Sequence, residues 1–210
     1  MGNSKTVLLI GASRGLGLGL AGELATRGWQ VIATVRDPAR ATDLAALAER
    51  TGRIEIEKLD VDDVGQLEAL AGRLAERQLD LLFVNAGISG PRDQSVADIS
   101  RTDLANVMWT NALSPVRIAG RLLPLLKTGS TVAFMSSVMG SITGNASGGH
   151  ELYRISKTSL NMLARGFAAT AAKDKALVVL NLHPGWVRTD MGGPSAPVGV
   201  EESVRGLADV

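Results

Sequence analysis

Thr6-Val-Leu-Leu-Ile-Gly-Ala-Ser-Arg-Gly-Leu-Gly17 decides the fold. Thr6 to Ile10 is a short continuous apolar run, the pattern of a strand buried on both faces. Gly11, Gly15 and Gly17 follow at the spacing G-x-x-x-G-x-G. Leu16, Leu20 and Leu24 then recur at i, i+4 and i+8, so Gly15 to Arg27 reads as a helix that Gly28 stops. In this reading Gly11 turns the chain sharply out of the strand. Gly15 admits close backbone approach to a pyrophosphate, and Gly17 lets helix and strand pack closely. The helix N-terminus offers free N–H groups and a partial positive charge to phosphates, and Ser13, Arg14 and Leu16 complete the expected contacts of the turn. A strand before and a helix after separate a dinucleotide turn from an ordinary connection. No G-K-[ST] follows, so a nucleoside triphosphatase is not expected.

Outward from this turn, strand and helix patterns alternate. Gln30 to Val35 is a second apolar strand. Pro38 opens a helix with Leu44, Leu47 and Ala48 as its inner stripe, and Gly52 ends it. Arg53 to Leu59 alternates like a strand. Asp62 or Asp63 caps a helix carrying Val64, Leu67, Leu70, Ala71 and Leu74. Leu79 to Val84 is a strand, Thr102 to Lys127 a long helical region interrupted by Pro115, and Ser130 to Met135 a strand. Leu152 to Lys173 is a helix, Ala176 to Leu182 a sixth strand, and Glu201 to Ala208 a short helical run. Such alternation predicts parallel strands joined by right-handed crossovers. The expected architecture is α/β: a Rossmann-type doubly wound parallel sheet, order 3-2-1-4-5-6, with helices on both faces. One domain is expected over residues 1–210. Two loops rich in Gly, Ser and Pro, 140–149 and 184–199, follow the C-terminal ends of strands, where ligands bind in this architecture.

Composition narrows the function. The chain has 210 residues, 45% of them hydrophobic, enough for a real core. Twenty-two basic residues oppose 21 acidic ones, and a net charge of +1 gives no broad attraction to nucleic acid or a membrane surface. Zero Cys excludes a disulfide scaffold, a thiolate metal site and a cysteine nucleophile. With His150 and His183 the only histidines, a histidine-rich metal site is excluded too, so no metal is expected. No apolar run reaches the ~18 residues of a membrane span. Met1 to Lys5 leads directly into a strand pattern, without a signal peptide, and a cytoplasmic protein is expected.

Several residues suit a redox site. The second strand ends in Val35-Arg36, without an acid to hold an adenosine 2′-OH. Arg36 and Arg14 suit a 2′-phosphate instead, favouring NADP over NAD, although Asp37 can pair with Arg36. Asp60 can accept from an adenine amino group while Val61 packs on the ring; the alternative is a role in starting the next helix. Tyr153 and Lys157 lie at i, i+4 on one helix face. A phenol has a free pKa of ~10, and a cation one turn away is expected to lower it, giving a general acid for a carbonyl oxygen. Met135-Ser136-Ser137 ends the fifth strand, and a hydroxyl there, of Ser136 or Ser137, can hydrogen-bond that oxygen. Asn111 is an unfavourable helix-interior residue that binding a water in line with Lys157 would explain. Asn85 can tie adjacent strands together, and Gly87 can leave room for the cofactor. Val138, Met139, Ile142, His150, Trp186 and Met191 are candidates for a modestly apolar substrate pocket. Met139 also suits the core, His150 an exposed loop, and His183 a structural role rather than the nicotinamide face. Thr189 can cap either the pyrophosphate or a turn.

In order and in element, the Gly11–Gly17 turn, Asp60-Val61, Asn85-Ala86-Gly87, Asn111, Ser137, Tyr153, Lys157 and Pro184-Gly185 resemble the short-chain dehydrogenase/reductase family over nearly the whole chain. Residues 136–149, 153–161 and 185–194 are similar to its C-factor and sniffer-like carbonyl reductase branch. The resemblance implies Tyr153 as acid/base, Lys157 as its electrostatic partner and cofactor ligand, Ser137, which aligns with the family's usual position, as substrate-oxygen donor with Ser136 as the fallback, and Asn111 as proton-relay organiser. It also implies cofactor contacts from Ala86, Pro184, Gly185 and Val187. The implied function is an NADP-dependent oxidoreductase reducing a ketone or aldehyde, or reversibly oxidising an alcohol. A dinucleotide-binding signalling or regulatory protein is the alternative. An epimerase or dehydratase on the related extended fold fits less well, because no room is left for a sugar-nucleotide subdomain.

Three departures from the family stand out. Ile10 replaces a Thr that often braces the turn. The segment from Ser137 to Tyr153 is longer than usual. The chain stops at Val210, where relatives run on to a seventh strand, so a missing C-terminal strand is expected. Small and apolar residues at Ala164, Gly166, Ala168, Ala169 and Ala171 suit helix-to-helix assembly, so a homo-oligomer (dimer or tetramer) is expected.

Overall fold

Alternation along the first strand sets up two cores. In the computed structural model, which describes residues 4–91 and 95–210, β1 (Thr6–Ile10) lies mid-sheet. Val7 and Leu9 point to one face, Leu8 and Ile10 to the other, and all four are fully buried. Around it pair β2 (Gln30–Val35), β3 (Ile54–Lys58), β4 (Leu79–Val84), β5 (Leu126–Met135) and β6 (Val178–Leu182). The order is β3-β2-β1-β4-β5-β6 and every pairing is parallel, as the alternation predicts. The N-terminal residues Met1–Asn3 lie outside the described residues.

Each sheet face has its own helices. On one, Val7, Leu9, Val31, Ala33, Phe83 and Met135 pack against α1 (Gly15–Thr26), α2 (Thr42–Thr51) and α7 (Val200–Ala208), through Leu20, Leu24, Leu44, Val204 and Leu207. On the other, Leu8, Ile10, Ile32, Leu82, Val84, Val132 and Phe134 meet α3 (Val64–Arg73), α5 (Ser114–Leu122) and α6 (Glu151–Ala169), through Leu67, Leu70, Ile118, Leu122, Leu160 and Phe167. A strand fully apolar on both faces is what this two-sided covering requires.

Several expected boundaries are corrected. Pro38 opens a separate 3-10 turn, Pro38–Arg40, because Asp37 caps it by accepting from the Ala39 N–H at 3.1 Å; α2 begins only at Thr42. Asp63, not Asp62, caps α3, and Val64 at its first turn is exposed. The region 102–127 is not one helix. α4 (Arg101–Met108) runs into a π-helical segment, Trp109–Leu113, then α5 and a 3-10 turn, Leu123–Leu125. Pro115 does not stop the chain; it sits in the first turn of α5. Proline has no N–H for the carbonyl four residues earlier, that of Asn111, and crowds it, so the ladder widens by one residue just before it. β5 starts at Leu126, earlier than expected, with a register irregularity between Leu79 and Leu81 of β4. α6 ends at Ala169, β6 starts at Val178, and a 3-10 turn, Lys173–Lys175, lies between them.

Candidate active site

At the C-terminal ends of β1 and β4 the glycine turn forms a cradle. Gly11 has φ +89°, and a Cβ there would lie 2.8 Å from the Ala86 Cβ. A Cβ on Gly17 would collide with the Gly11 carbonyl. Asn85 Nδ2 donates to that carbonyl at 2.7 Å, tying β4 to the turn as expected. The brace that Ile10 cannot supply comes from β2: Thr34 Oγ1 accepts from the Gly11 N–H at 3.1 Å, and the Thr34 carbonyl accepts from Ala12 N–H at 2.8 Å. Arg14, the N-cap of α1, makes no side-chain cap, so no cap occupies the first-turn N–H groups. These backbone donors, in a cradle no side chain could share, fit a dinucleotide pyrophosphate.

Beyond the end of β3, Asp60 Oδ1 accepts from the Asp62 N–H at 3.1 Å, and its own N–H donates to Gln66 Oε1 at 2.9 Å. Val61 is partly buried against the core. Arg36 and Ser13 are exposed, and Asp37 directs its carboxylate to its own turn. Arg14 pairs with Asp190 at 2.9 Å.

The reacting groups meet where β5 ends and α6 begins. Ser137 follows β5 and caps a 3-10 turn, Val138–Gly140, accepting from Met139 N–H at 3.1 Å. Its hydroxyl faces Tyr153 closely enough to favour the ionised phenol. Ser136 is buried and donates to Asn161 Oδ1 at 2.7 Å, a structural commitment. Lys157 is 3% exposed; its Nζ donates to the Met135 carbonyl at 2.8 Å and lies 5.5 Å from the Tyr153 ring centroid.

The expected acidification of Tyr153 is corrected. Burial pushes the phenol above its usual pKa, and the Ser137 hydroxyl draws it only part of the way back. Lys157 stands over the ring, hydrogen-bonded to a backbone carbonyl, and burial lowers its own pKa to about 8. The two shifts carry the groups apart: the Lys157 ammonium becomes the stronger acid and the Tyr153 phenol the weaker one, an order in which the ammonium can return a proton to the phenolate.

Asn111 lies in the π segment, fully buried. Its Oδ1 accepts from Ile88 N–H at 2.8 Å, and its Nδ2 donates to the Ile88 carbonyl at 2.8 Å and to Ser156 Oγ at 3.1 Å. The side chain therefore clips the loop after β4 to α6; its two N–H groups are committed within the protein rather than reserved for a water. Gly87 lies against the same groups. A Cβ there would lie 3.1 Å from Asn111 Oδ1 and 3.6 Å from Lys157 Nζ, a tight contact with the first and an ordinary one with the second.

The loops close the picture. Arg154 pins the Gly/Ser segment, donating to the carbonyls of Gly149 at 2.8 Å and Gly148 at 3.1 Å. His150 is exposed, with φ +53°, at the N-cap of α6, and His183 is exposed. Val138, Ile142, Trp186 and Met191 all expose apolar surface, while Met139 is partly buried. Gly185 has φ +87°, the Pro184 carbonyl accepts from Ser203 Oγ at 2.7 Å, and Val187 is buried and bridges to Val198. Thr189 Oγ1 accepts from Gly192 N–H at 3.1 Å, so it caps a turn, and its methyl is 3.5 Å from where a Gly15 Cβ would stand.

Sequence reading missed Thr34, Ile88, Ser156 and the Met135 carbonyl. It also missed Asp62, whose carboxylate accepts from Thr110 Oγ1 at 2.6 Å and Ser114 Oγ at 2.8 Å, holding both ends of the π segment. An acid left over beside a cap was the available signal. Two cavities lie elsewhere: one of about 500 Å³ among Trp29, Asp80, Lys127 and Val210, and a groove of about 730 Å³ between α1, α2 and α7. Neither touches Tyr153, and the convergence of polar groups locates the chemistry better than volume does. Among the described residues no cluster of three or more His, Cys, Asp or Glu could hold a metal, and no helix is long and apolar enough to cross a membrane.

A family model described as enoyl-(acyl carrier protein) reductase matches residues 11–205. A Burkholderia multivorans protein crystallised with bound NADP superposes at a TM-score of 0.95, with 45% identity, covering 99% of this chain and 90% of that one. A carbonyl reductase from Pseudomonas aeruginosa PAO1 in complex with NADP superposes at 0.89, with 43% identity, covering 99% and 90%. The C-signal protein of Myxococcus xanthus is 40% identical over 146 residues, 69% of this chain and 87% of its own length.

Proposed function

This chain belongs to the short-chain dehydrogenase/reductase family, and from that premise we propose that it is an NADP-dependent reductase of a ketone or aldehyde. The single observation that carries the reading is the buried Lys157 amine over the Tyr153 ring, with the Ser137 hydroxyl beside that phenol and the glycine cradle next to them. When bound, the reduced cofactor supplies a hydride. Tyr153 Oη delivers the accompanying proton to the carbonyl oxygen, and Ser137 Oγ hydrogen-bonds that oxygen as charge develops on it. Lys157, close to half-deprotonation near pH 8, restores the phenol's proton and offers Nζ to ribose hydroxyls. Asn111 keeps the loop after β4 and α6 in register around these groups. Run backwards, the same groups oxidise an alcohol.

NADP rather than NAD is supported by Arg14 and Arg36 and by the absence of an acid at the end of β2. Asp60, Val61, Ala86, Pro184, Gly185, Val187 and Thr189 line the rest of the cofactor path in this reading. The exposed apolar surface of Val138, Ile142, Trp186 and Met191 favours a modestly apolar carbonyl substrate. In the same reading residues 1–210 form one dinucleotide-binding domain that works in the cytoplasm as a dimer or tetramer. Exposed Leu104, Leu113, Ile155 and Met162 on and between α4, α5 and α6 supply apolar surface for that assembly.

The test is Tyr153→Phe, assayed against a carbonyl panel with NADPH. Removing the proton donor is expected to cost about 10²- to 10⁴-fold in turnover. Intact turnover refutes the proposal. A second reading, a dinucleotide-binding signalling protein, is favoured by one observation, the 40% identity to a protein named C-signal. Tight NADPH binding without turnover on any carbonyl would select it.

A further inference from the structure

The segment after β6 is a self-braced flap. Trp186 Nε1 donates to the Gly192 carbonyl at 2.8 Å, and Arg188 Nη1 donates to the carbonyls of Ala196 at 2.9 Å and Pro197 at 2.7 Å. Val187 bridges to Val198. The flap rests on the glycine turn. The Thr189 methyl packs over Gly15, and the Asp190 carboxylate pairs with Arg14 at 2.9 Å across 176 residues of chain. The ion pair is open to solvent, its partners 74% and 77% exposed. A ligand anion can therefore reach the guanidinium without unfolding anything.

Arg14 thus faces a choice. Its guanidinium fork suits a carboxylate and a phosphate equally well in geometry. The carboxylate is already seated on it, and a second anion nearby would meet repulsion from Asp190 as well as attraction to Arg14. We propose that Asp190 is a specificity-determining residue: its carboxylate competes with the cofactor 2′-phosphate for Arg14 and so tunes the preference for the phosphorylated dinucleotide. The inference rests on the reading above that Arg14 receives the 2′-phosphate. It adds an opposing charge supplied by the flap that also carries Trp186 and Met191. Cofactor exchange at Arg14 removes a contact that holds that flap to the turn, so 2′-phosphate binding and the substrate-lining loop are linked.

The test uses the full chain without substrate. NADPH and NADH are titrated by cofactor fluorescence into the unaltered protein, Asp190→Asn, Asp190→Glu and Arg14→Gln/Asp190→Asn, with Arg14→Gln alone as the reference for the double variant. Asp190→Asn is expected to tighten NADPH by about two- to fivefold at low salt, the range of an exposed ion pair, and to leave NADH unchanged. Asp190→Glu, which keeps the charge, is expected to behave as the unaltered chain. The gain should vanish near 1 M salt, where the Debye length is about 3 Å, and in the Arg14→Gln background. Unchanged or weaker NADPH binding by Asp190→Asn, or equal tightening of both cofactors, overturns the inference alone. Failure of the unaltered chain to bind NADPH overturns the functional reading and, with it, this inference.

Discussion

Replacing Lys157 by Met should leave the protein inactive yet change its stability in a pH-dependent way. Lys157 is 3% exposed, and burial lowers its pKa from 10.5 to about 8. In the unfolded chain the amine keeps its ordinary value, so between about pH 8 and 10.5 the unfolded state binds more protons than the folded one. Stability of the unaltered protein therefore rises with pH across that window. Below pH 8 the folded state carries the full cost of a buried ammonium, about 3 kcal/mol for a shift of this size. Met is similar in length, carries no charge, and escapes this cost. It also leaves the Met135 carbonyl without its donor, a loss of about 1–3 kcal/mol that does not depend on pH. The two terms nearly cancel at pH 7, so the absolute difference there is small and of either sign. Its pH dependence is not small. Relative to the unaltered chain, Lys157→Met should lose about 2–3 kcal/mol between pH 7 and pH 10. Urea denaturation at pH 7, 8.5 and 10 measures this directly, and below pH 10 the tyrosine common to both proteins drops out of the difference. A difference that stays flat across the series refutes the claim that Lys157 is held desolvated under Tyr153.

Two substitutions probe the scaffold of the site. Gly17→Ala drives a Cβ into the Gly11 carbonyl and against Asn85, so the turn must shift. A destabilisation of about 1–3 kcal/mol and loss of NADPH binding are expected in thermal melts and fluorescence titration. Asp62→Ala strips the acceptor from the buried hydroxyls of Thr110 and Ser114. It should cost about 2 kcal/mol or more in urea denaturation, while Asp62→Asn, which keeps one acceptor oxygen, should cost less.

How far the sequence could be read depended on the range of the interaction. β1 was legible because every residue from Val7 to Ile10 is apolar, and a strand covered on both sides demands just that. The six parallel strands followed from local periodicity. The pairing of Tyr153 with Lys157 was legible because one helix turn fixes it. The direction of the Tyr153 pKa shift was not, because it depends on burial, and burial belongs to the assembled fold. The brace from Thr34 and the pairing of Arg14 with Asp190 join residues 23 and 176 positions apart, with no local pattern to announce them. Asp62 was read as one of two rival caps; only packing brings Thr110, 48 residues on, against it. Gly87 was read as clearance for a ligand; that Asn111 and Lys157 stand beside it is a fact of the assembled fold that no local pattern announces.

The widened turn before Pro115 makes the aim of Asn111 a matter of counting. Each residue of an α-helix turns the chain by roughly 100°. One residue removed from Trp109–Leu113 would let an even spiral run from α4 into α5, and the amide would swing out from between Ile88 and Ser156 with its identity intact. Comparing side chains position by position would report nothing wrong with such a sequence. Within this stretch the tally of residues is as much a part of the chemistry as the amide it delivers.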